Sequence, residues 1–277
     1  MNYLSWTSKF SLVKNPFKDV LDTSLFFRTR QHEEALLKIQ IGIEDRHSLI
    51  LLSGSSGTGK TMLSQVVMRS LDTARCVSVF IPVHPGMNKG GLLSTILSEL
   101  EVKNPERHTD KKLNQLQERV LNLNEQGKRV VIFIDEAHFL KADALHILRT
   151  LSNLETEDEK LVTVVLIAEY ALEKRLENPS YASLRSRIFF TIRLDALTSE
   201  ETEQYIKYRL LKCGAPPHLL TNDAYLVVHH FSSGTPRKIN NLLYNSFIES
   251  MAVDAFEITP EIIRIADRKS GMEAMHG

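Results

Sequence analysis

The sequence predicts a parallel α/β sheet covered by helices, followed by a small all-helical domain. Five short apolar runs recur along the chain, and each has the length and composition of a strand buried on both faces of a parallel sheet. These runs are Leu49–Leu52, Val77–Val83, Val130–Ile134, Val162–Ala168 and Ile188–Leu194. Helical stretches separate them, and alternating strands and helices are typical of a parallel sheet. After Leu194 the strand signal stops.

Helical periodicity accounts for the segments between the runs and for the C-terminal part. In the first part, helices are predicted at Gln31–Ile43, Met62–Leu71, Leu92–Leu100, Leu113–Asn124, Ala142–Leu154 and Ala171–Leu176. Thr198 and Glu201 have the capping-box spacing that begins a helix. Further helices are predicted at Asn222–Phe231, Pro236–Val253 and Pro260–Lys269. We therefore divide the chain into a base domain, 1–194, which opens with an N-terminal arm, and a helical domain, 195–277.

Composition indicates a globular chain without a dominant charge. Hydrophobic residues make up 43% and charged residues 25% of 277 residues, and 34 basic side chains balance 34 acidic ones. This balance gives no global attraction for nucleic acid or acidic membranes. The apolar runs are too short to cross a bilayer and no signal pattern opens the chain, so we expect a cytoplasmic location. Cys76 and Cys213 are far apart, which argues against a disulfide framework or a zinc site.

A phosphate-binding pattern, GxxxxGK[ST], lies between the first predicted strand and the next helix. The segment is Gly54-Ser55-Ser56-Gly57-Thr58-Gly59-Lys60-Thr61. Its glycines let consecutive backbone N–H groups turn towards one anion, and the helix N-terminus adds its positive dipole end. Lys60 is expected to reach the β- and γ-phosphates, and the Thr61 hydroxyl to ligate Mg²⁺. A plain glycine turn is the alternative, which the strand–helix context disfavours.

Two carboxylates, Asp135 and Glu136, end the third apolar run. They lie at the sheet edge where open α/β sheets bind ligands. Asp135 is placed to hold Mg²⁺ or its water, and Glu136 to orient and deprotonate an attacking water. A polar strand end meeting a loop is the alternative. Glu136 favours hydrolysis over small-molecule phosphoryl transfer, and the absence of an NKxD-type motif favours adenine over guanine.

Four motifs together resemble those of AAA+ ATPases in order and spacing. They are the phosphate loop, Asp135-Glu136-Ala137-His138, Leu184-Arg185-Ser186-Arg187-Ile188 and Gly234-Thr235-Pro236-Arg237-Lys238-Ile239-Asn240. From about Phe10 to about Ala266, the chain is similar to the bacterial ExeA/GspA branch. The segments that carry this resemblance are Phe10-Ser11-Leu12, Asn15-Pro16-Phe17, Phe26–Leu36, Asn153-Leu154-Glu155 and Pro236–Asn240. The resemblance implies an ATP- and Mg²⁺-dependent ATPase with a helical lid.

The resemblance also implies roles for individual residues. Arg237 is in the sensor-2 position and is expected to touch the γ-phosphate of its own subunit's ATP. Arg187 is in the position of the arginine finger that reaches a neighbour's nucleotide, with Arg185 as the fallback, although a surface arginine is usually solvated. The arm that lies against the adenine in this family corresponds to Asn15, Pro16, Phe17 and Phe27–Arg30.

One residue departs from the family pattern. The strand after the Mg²⁺ strand usually ends in a polar turn whose glutamine acts as sensor 1, whereas this chain has Glu169 after Ala168. A carboxylate facing the γ-phosphate is repelled unless it is protonated or turned onto a cation. The sequence therefore predicts a modified sensor or slow hydrolysis. His138 is open to two interpretations, a contact to the catalytic acid or a packed, helix-starting histidine.

The predicted function is an oligomerising ATPase, in a ring or filament, that drives assembly or remodelling of an unidentified protein partner. The resemblance connects this function to secretion or pilus machinery. The alternative is a DNA-binding regulator of transposition, similar to the TnsC, MuB and TniB types, which polymerises on DNA and recruits a transposase. A small-molecule kinase is disfavoured by Glu136 and by Arg237.

Overall fold

The protein consists of two compact units. The computed structural model describes residues 6–216 and 218–276, and their side chains up to residue 270. Contacts group Arg30–Ser56 with Lys60–Leu194, which we call the α/β unit. They group Met1–Thr29, Gly57–Gly59 and Asp195–Gly277 into the helical unit. This grouping divides the chain between residues 194 and 195, and it places the arm up to Thr29 in the helical unit.

The α/β unit contains a five-stranded parallel sheet, as predicted. Its strands are β1 (Leu49–Gly54), β2 (Cys76–Pro82), β3 (Arg129–Asp135), β4 (Val162–Ala168) and β5 (Ile188–Leu194). Their spatial order is β2-β3-β4-β1-β5, with every pairing parallel. All residues of β1 and β4 are buried, because both strands are internal and helices cover the sheet. Phe189 on the edge strand β5 is exposed.

Twelve helices surround the sheet or form the helical unit within the described residues. In chain order they are α1 (Trp6–Lys9), α2 (Arg30–Glu44), α3 (Lys60–Ser70), α4 (Lys89–Glu99), α5 (Thr109–Glu125), α6 (Ala142–Leu151), α7 (Tyr170–Leu176), α8 (Ala182–Arg185), α9 (Ser199–Lys212), α10 (Asn222–Ser232), α11 (Pro236–Ala252) and α12 (Pro260–His276). The short helices α1 and α8 have no predicted counterpart. Across residues 6–216 and 218–276, every helix is too short or too polar to serve as a transmembrane segment.

The N-terminal arm packs into the core of the helical unit. Phe10, Phe17 and Phe247 are buried together, and the rings of Phe10 and Phe17 lie 4.9 Å and 5.9 Å from that of Phe247. Trp6 stacks on the same ring at 5.1 Å. Burial of these aromatic rings is a large apolar contribution, which explains why the arm joins this unit rather than the sheet.

Two predicted features of the helical unit have clear structural causes. Thr198 and Glu201 form a complete capping box at the start of α9. Gly234, which opens the Gly-Thr-Pro-Arg motif before α11, has a φ of 68°, and a Cβ there would lie 2.0 Å from the Leu197 carbonyl oxygen. This position therefore requires glycine.

Candidate active site

The phosphate loop connects β1 to α3, and Lys60 is the first residue of α3. Gly57 and Gly59 have φ values of 79° and 101°, a left-handed region that L side chains rarely adopt. The Lys60 side chain is buried, and its Nζ donates to the carbonyl oxygens of Gly54 at 3.0 Å and Ser55 at 2.8 Å. The lysine charge is therefore held at the loop by the loop's own backbone.

Gly57 meets the start of α11 through its backbone. The Arg237 N–H donates to the Gly57 carbonyl oxygen at 3.3 Å, and a Cβ on Gly57 would lie 2.8 Å from the Arg237 Cβ. The residue predicted as sensor 2 thus lies beside Gly57, which belongs to the same unit.

The two predicted magnesium ligands are in direct contact. The Thr61 hydroxyl, in the first turn of α3, donates to Asp135 Oδ2 at 2.8 Å, and the Glu136 N–H donates to Oδ1 at 3.0 Å. Asp135 is buried, and this burial raises the pKa of its carboxyl. A buried carboxylate beside a hydroxyl oxygen is the type of donor set that Mg²⁺ prefers, so these residues fit the ion.

Glu136 and Glu169 lie close together at neighbouring strand ends. Glu136 has a left-handed backbone, with φ 55° and ψ 35°, and its side chain is 46% exposed. His138 Nε2 lies 3.5 Å from Glu136 Oε2, and its Nδ1 accepts the Glu169 N–H at 3.4 Å. One ligand atom from each of these three residues lies within 4.8 Å of the other two. Because β3 pairs with β4, the unusual Glu169 is next to Glu136, the predicted catalytic base.

Comparison with known proteins identifies an AAA domain and a relative of the whole chain. A family model described as an AAA domain matches residues 43–176. General secretion pathway protein A from Aeromonas hydrophila is 30% identical over 262 residues, which is 94% of this chain. Residues 43–176 therefore match an AAA domain, and the chain is similar to General secretion pathway protein A over most of its length. The match covers 48% of that relative, so the chain spans about half the length of the curated relative.

Solved AAA+ structures share the fold. The ORC2 protein of Aeropyrum pernix has a TM-score of 0.68 at 17% identity, with 92% of this chain and 71% of that chain covered. Cdc6p from Pyrobaculum aerophilum has a TM-score of 0.73 at 20% identity, covering 93% and 71%. The RuvB branch migration motor of Thermotoga maritima has 0.59 at 21%, covering 87% and 69%. At these identities, the likeness shows the AAA+ fold alone.

The candidate arginine finger of this AAA+ chain is held by an asparagine. Arg187, just before β5, donates through Nε and Nη2 to Asn153 Oδ1 at 3.2 Å and 2.9 Å, and through Nη1 to the Ser183 carbonyl oxygen at 2.8 Å. Arg185 donates to the Glu177 carbonyl oxygen at 3.3 Å. Asn153, a residue of the GspA-like motifs, thus holds the Arg187 side chain in place. The role of either arginine as a finger stays a prediction.

Three of the residues predicted to lie against adenine, Asn15, Pro16 and Phe17, are fixed within the helical unit. Asn15 Oδ1 accepts the Phe17 N–H at 2.7 Å, and Phe17 itself is buried. The Pro16 carbonyl oxygen accepts a hydrogen bond from Arg209 Nε. Arg209 is buried on α9 and also donates to the Tyr205 hydroxyl at 2.9 Å. The arm is thus anchored by a buried arginine, and its contact with adenine stays a prediction.

Sequence reasoning missed a polar network that supports the phosphate loop. Ser53, which precedes the loop, is fully buried and donates its hydroxyl to the Glu173 carboxylate. Arg193 on β5 donates to the same carboxylate at 3.1 Å and 2.6 Å. Burial alone would raise the pKa of Glu173, yet the hydrogen bonds from Arg193 and Ser53 leave it lowered. The three residues lie on separate elements, so no local pattern signals them.

Proposed function

We propose that this AAA+ protein binds ATP with Mg²⁺ through residues 54–61 and hydrolyses it with Glu136 as the base. The observation that carries this proposal is the 2.8 Å contact between Thr61 Oγ1 and Asp135 Oδ2, with Glu136 as the next residue. This contact joins the phosphate loop to the carboxylate strand, and a glycine turn or a polar strand end alone would not need it. A cytoplasmic location stays a prediction.

Binding follows from the charge and backbone of the loop. The turned N–H groups of the loop and the N-terminus of α3 supply donors for a triphosphate. Lys60 adds a fixed ammonium, because its hydrogen bonds to Gly54 and Ser55 hold it at the loop. Thr61 and Asp135 would hold Mg²⁺, which when bound neutralises negative charge on the phosphates. Arg237 stays the predicted sensor 2.

Hydrolysis is assigned to Glu136 on the basis of its position and access. Asp135 Oδ1 accepts the Glu136 N–H, so the backbone at this residue is fixed relative to the predicted metal ligand. The carboxylate is about half exposed, which lets water reach it. A water held by this carboxylate can give a proton to one of the carboxylate oxygens while the water oxygen attacks the γ-phosphorus. The bond from the γ-phosphorus to the β–γ bridging oxygen then breaks, and ADP leaves.

Assembly is the second part of the proposal. We infer self-association into a ring or filament, with Arg187 completing a neighbour's site, and action on a protein partner. The 30% identity to General secretion pathway protein A supports a role in secretion, although the chain spans only about half of that relative. The equal counts of acidic and basic residues favour a protein partner over DNA.

Glu136→Gln provides the test, because the amide keeps the shape of the side chain and loses the base. We expect this variant to bind ATP and leave it uncleaved, with about 10²-fold or greater loss of turnover. Glu157→Gln, in an exposed loop, is the matched carboxylate control. Steady turnover in Glu136→Gln would remove Glu136 from the proposed role.

The same variant tests assembly, since ATP stays bound. Gel filtration of Glu136→Gln with ATP, with and without double-stranded DNA, should show growth of the assembly with ATP alone. Growth only with DNA would overturn the protein-partner proposal in favour of a DNA-dependent filament. A monomer under all conditions would contradict self-association.

A further inference from the structure

We propose that His138 is a positioning residue that connects the Glu169 backbone amide to the Glu136 carboxylate and so orients the catalytic glutamate. The inference rests on the proposed role of Glu136 as the base. According to this inference, the residue that follows β4 helps to orient the catalytic base, which follows β3. This link is independent of the Glu169 side chain, because His138 receives the backbone N–H.

The hydrogen-bond partners of the ring fix its tautomer. A backbone N–H can only donate, so His138 Nδ1, which receives the Glu169 N–H at 3.4 Å, acts as an acceptor. The proton of the neutral ring is then on Nε2. Nε2 is the nitrogen that lies 3.5 Å from Glu136 Oε2. The ring therefore presents an N–H to the carboxylate of the base.

The hydrogen bond from the Glu169 N–H to Nδ1 is long, and the pair formed by Nε2 and Glu136 Oε2 is at ion-pair distance without a hydrogen bond in this state. Distances of 3.4–3.5 Å are at the outer limit for such contacts, and catalytic hydrogen bonds of this kind often shorten when substrate binds. The ring can therefore guide Glu136 without locking it. A small change at the end of β4 would alter the position of the donor relative to the carboxylate.

The ring is itself held in place from the β4–α7 side. It belongs to the short 3₁₀ turn Ala137–Phe139 and is 11% exposed. Directly after this turn, the Leu140 carbonyl oxygen accepts Arg175 Nη1 of α7 at 2.6 Å. Two hydrogen bonds thus hold this segment. The Glu169 N–H donates to His138, and Arg175 donates to the carbonyl oxygen of Leu140. A side chain fixed in this way can impose an orientation on a neighbour.

Glu136 needs such a partner. Its left-handed backbone is unfavourable for an L residue by about 1–2 kcal/mol, and its side chain is about half exposed. Without a fixed donor, the carboxylate would sample several rotamers, and few of them would aim at the same water. The Glu169 carboxylate lies in the same cluster, so a fixed N–H beside Glu136 also offsets part of the repulsion between the two acids.

Three substitutions separate the two contacts of the ring, the hydrogen bond from the Glu169 N–H and the approach of Nε2 to Glu136. His138→Gln places an amide N–H near the position of Nε2 and keeps the donor to Glu136. His138→Asn places an amide oxygen near Nδ1 and keeps only the acceptor for the Glu169 N–H. His138→Ala removes both. His146→Gln is the control, a histidine on α6 whose ring stacks on Tyr181 at 5.4 Å.

We expect His138→Ala to lower kcat by about 10- to 100-fold, because misplacement of a catalytic group by about 1 Å can cost 10²-fold. KM for ATP should change by less than about twofold, since Lys60 and the loop are untouched. His138→Gln should recover most of kcat, whereas His138→Asn should stay close to His138→Ala. His146→Gln should behave like the wild type.

Three results would overturn the inference. They are a wild-type kcat in His138→Ala, equal recovery by Asn and Gln, or a loss that appears in KM alone. If His138→Ala unfolds, the comparison of kcat between the Gln and Asn variants still tests the inference. Failure of the proposed function is distinguishable, because Glu136→Gln would then keep its turnover. An inactive Glu136→Gln beside a fully active His138→Ala would reject only the positioning role.

Discussion

Two regions of the site differ in the contacts that stabilise them. One is the phosphate loop, and the other is formed by the carboxyl ends of β3 and β4. Within the loop, Lys60 bonds to carbonyls only five and six residues away. At the strand ends, His138 meets a residue 31 positions later in the chain. The loop is thus a local structure, while the region proposed to activate water forms only because β3 and β4 are paired. Nucleotide binding and hydrolysis should accordingly respond to different substitutions.

The largest expected effect would show that neither region is complete within one chain. Arg187→Ala should lower the hydrolysis rate by about 10³- to 10⁵-fold, because a finger from a neighbour stabilises charge on the γ-phosphate in the transition state. ATP binding should persist, since the loop is intact. Hydrolysis rate and ATP affinity are the two measurements, with Arg107→Ala, in an exposed loop, as the control.

A mixing experiment tests whether Arg187 acts between chains. Combining Arg187→Ala with Lys60→Ala gives mixed oligomers in which one subunit supplies the finger and the other supplies the loop. Activity above that of either variant alone is expected. Full activity of Arg187→Ala alone, with inactive mixed oligomers, would reject the assignment and make Arg185 the next residue to test.

Lys60→Ala tests the phosphate loop, the local region, and should weaken ATP binding. Removing a buried charge that faces the phosphates costs about 2 kcal/mol or more, equivalent to about 30-fold or more in ATP affinity. A fluorescent ATP analogue in an equilibrium titration measures this loss, with Lys38→Ala on the exposed face of α2 as control. Near-normal affinity would count against the assigned phosphate cradle.

Gly57→Ala tests whether loop geometry matters beyond its charge. A left-handed L residue costs about 1–2 kcal/mol, and contact of the new methyl with Arg237 should add about 1–3 kcal/mol. Gly86→Ala is a close control, because Gly86 has a φ of 91° with nothing within 4 Å of a Cβ. We expect a lower urea midpoint and weaker ATP binding for Gly57→Ala. Equal effects of the two substitutions would rule out the crowding explanation.

The smallest expected effect concerns the region at the ends of β3 and β4, where Glu169→Gln tests the charge of the cluster. Glu169→Gln keeps the backbone N–H that His138 accepts and removes one negative charge from the cluster. Turnover should increase, or ATP binding tighten, by about two- to fivefold, the size of a partly exposed charge interaction. Glu177→Gln, at the exposed end of α7, is the control. Unchanged kinetics would mean that the Glu169 side chain points away from the nucleotide.

Local pattern predicted most of the fold. The five strands begin and end within two residues of the apolar runs, because internal strands of a covered parallel sheet must be apolar throughout. The capping box at Thr198 was readable for a similar reason, since its partners are three residues apart. The packing of the arm could not be predicted in this way, because Phe10 and Phe17 are buried against Phe247, which lies more than 200 positions away.

The sequence by itself determined the phosphate loop, the carboxylates at the end of β3 and the helical character of the last 80 or so residues, since backbone torsions and periodicity express these features within a few residues. Only the tertiary structure decided that Asp135 meets Thr61, that His138 lies between Glu136 and Glu169, and that Arg209 holds Pro16. The physical reason is that strand order and core packing bring these groups together. Hydrogen bonds between residues far apart in the chain leave no periodic trace in it.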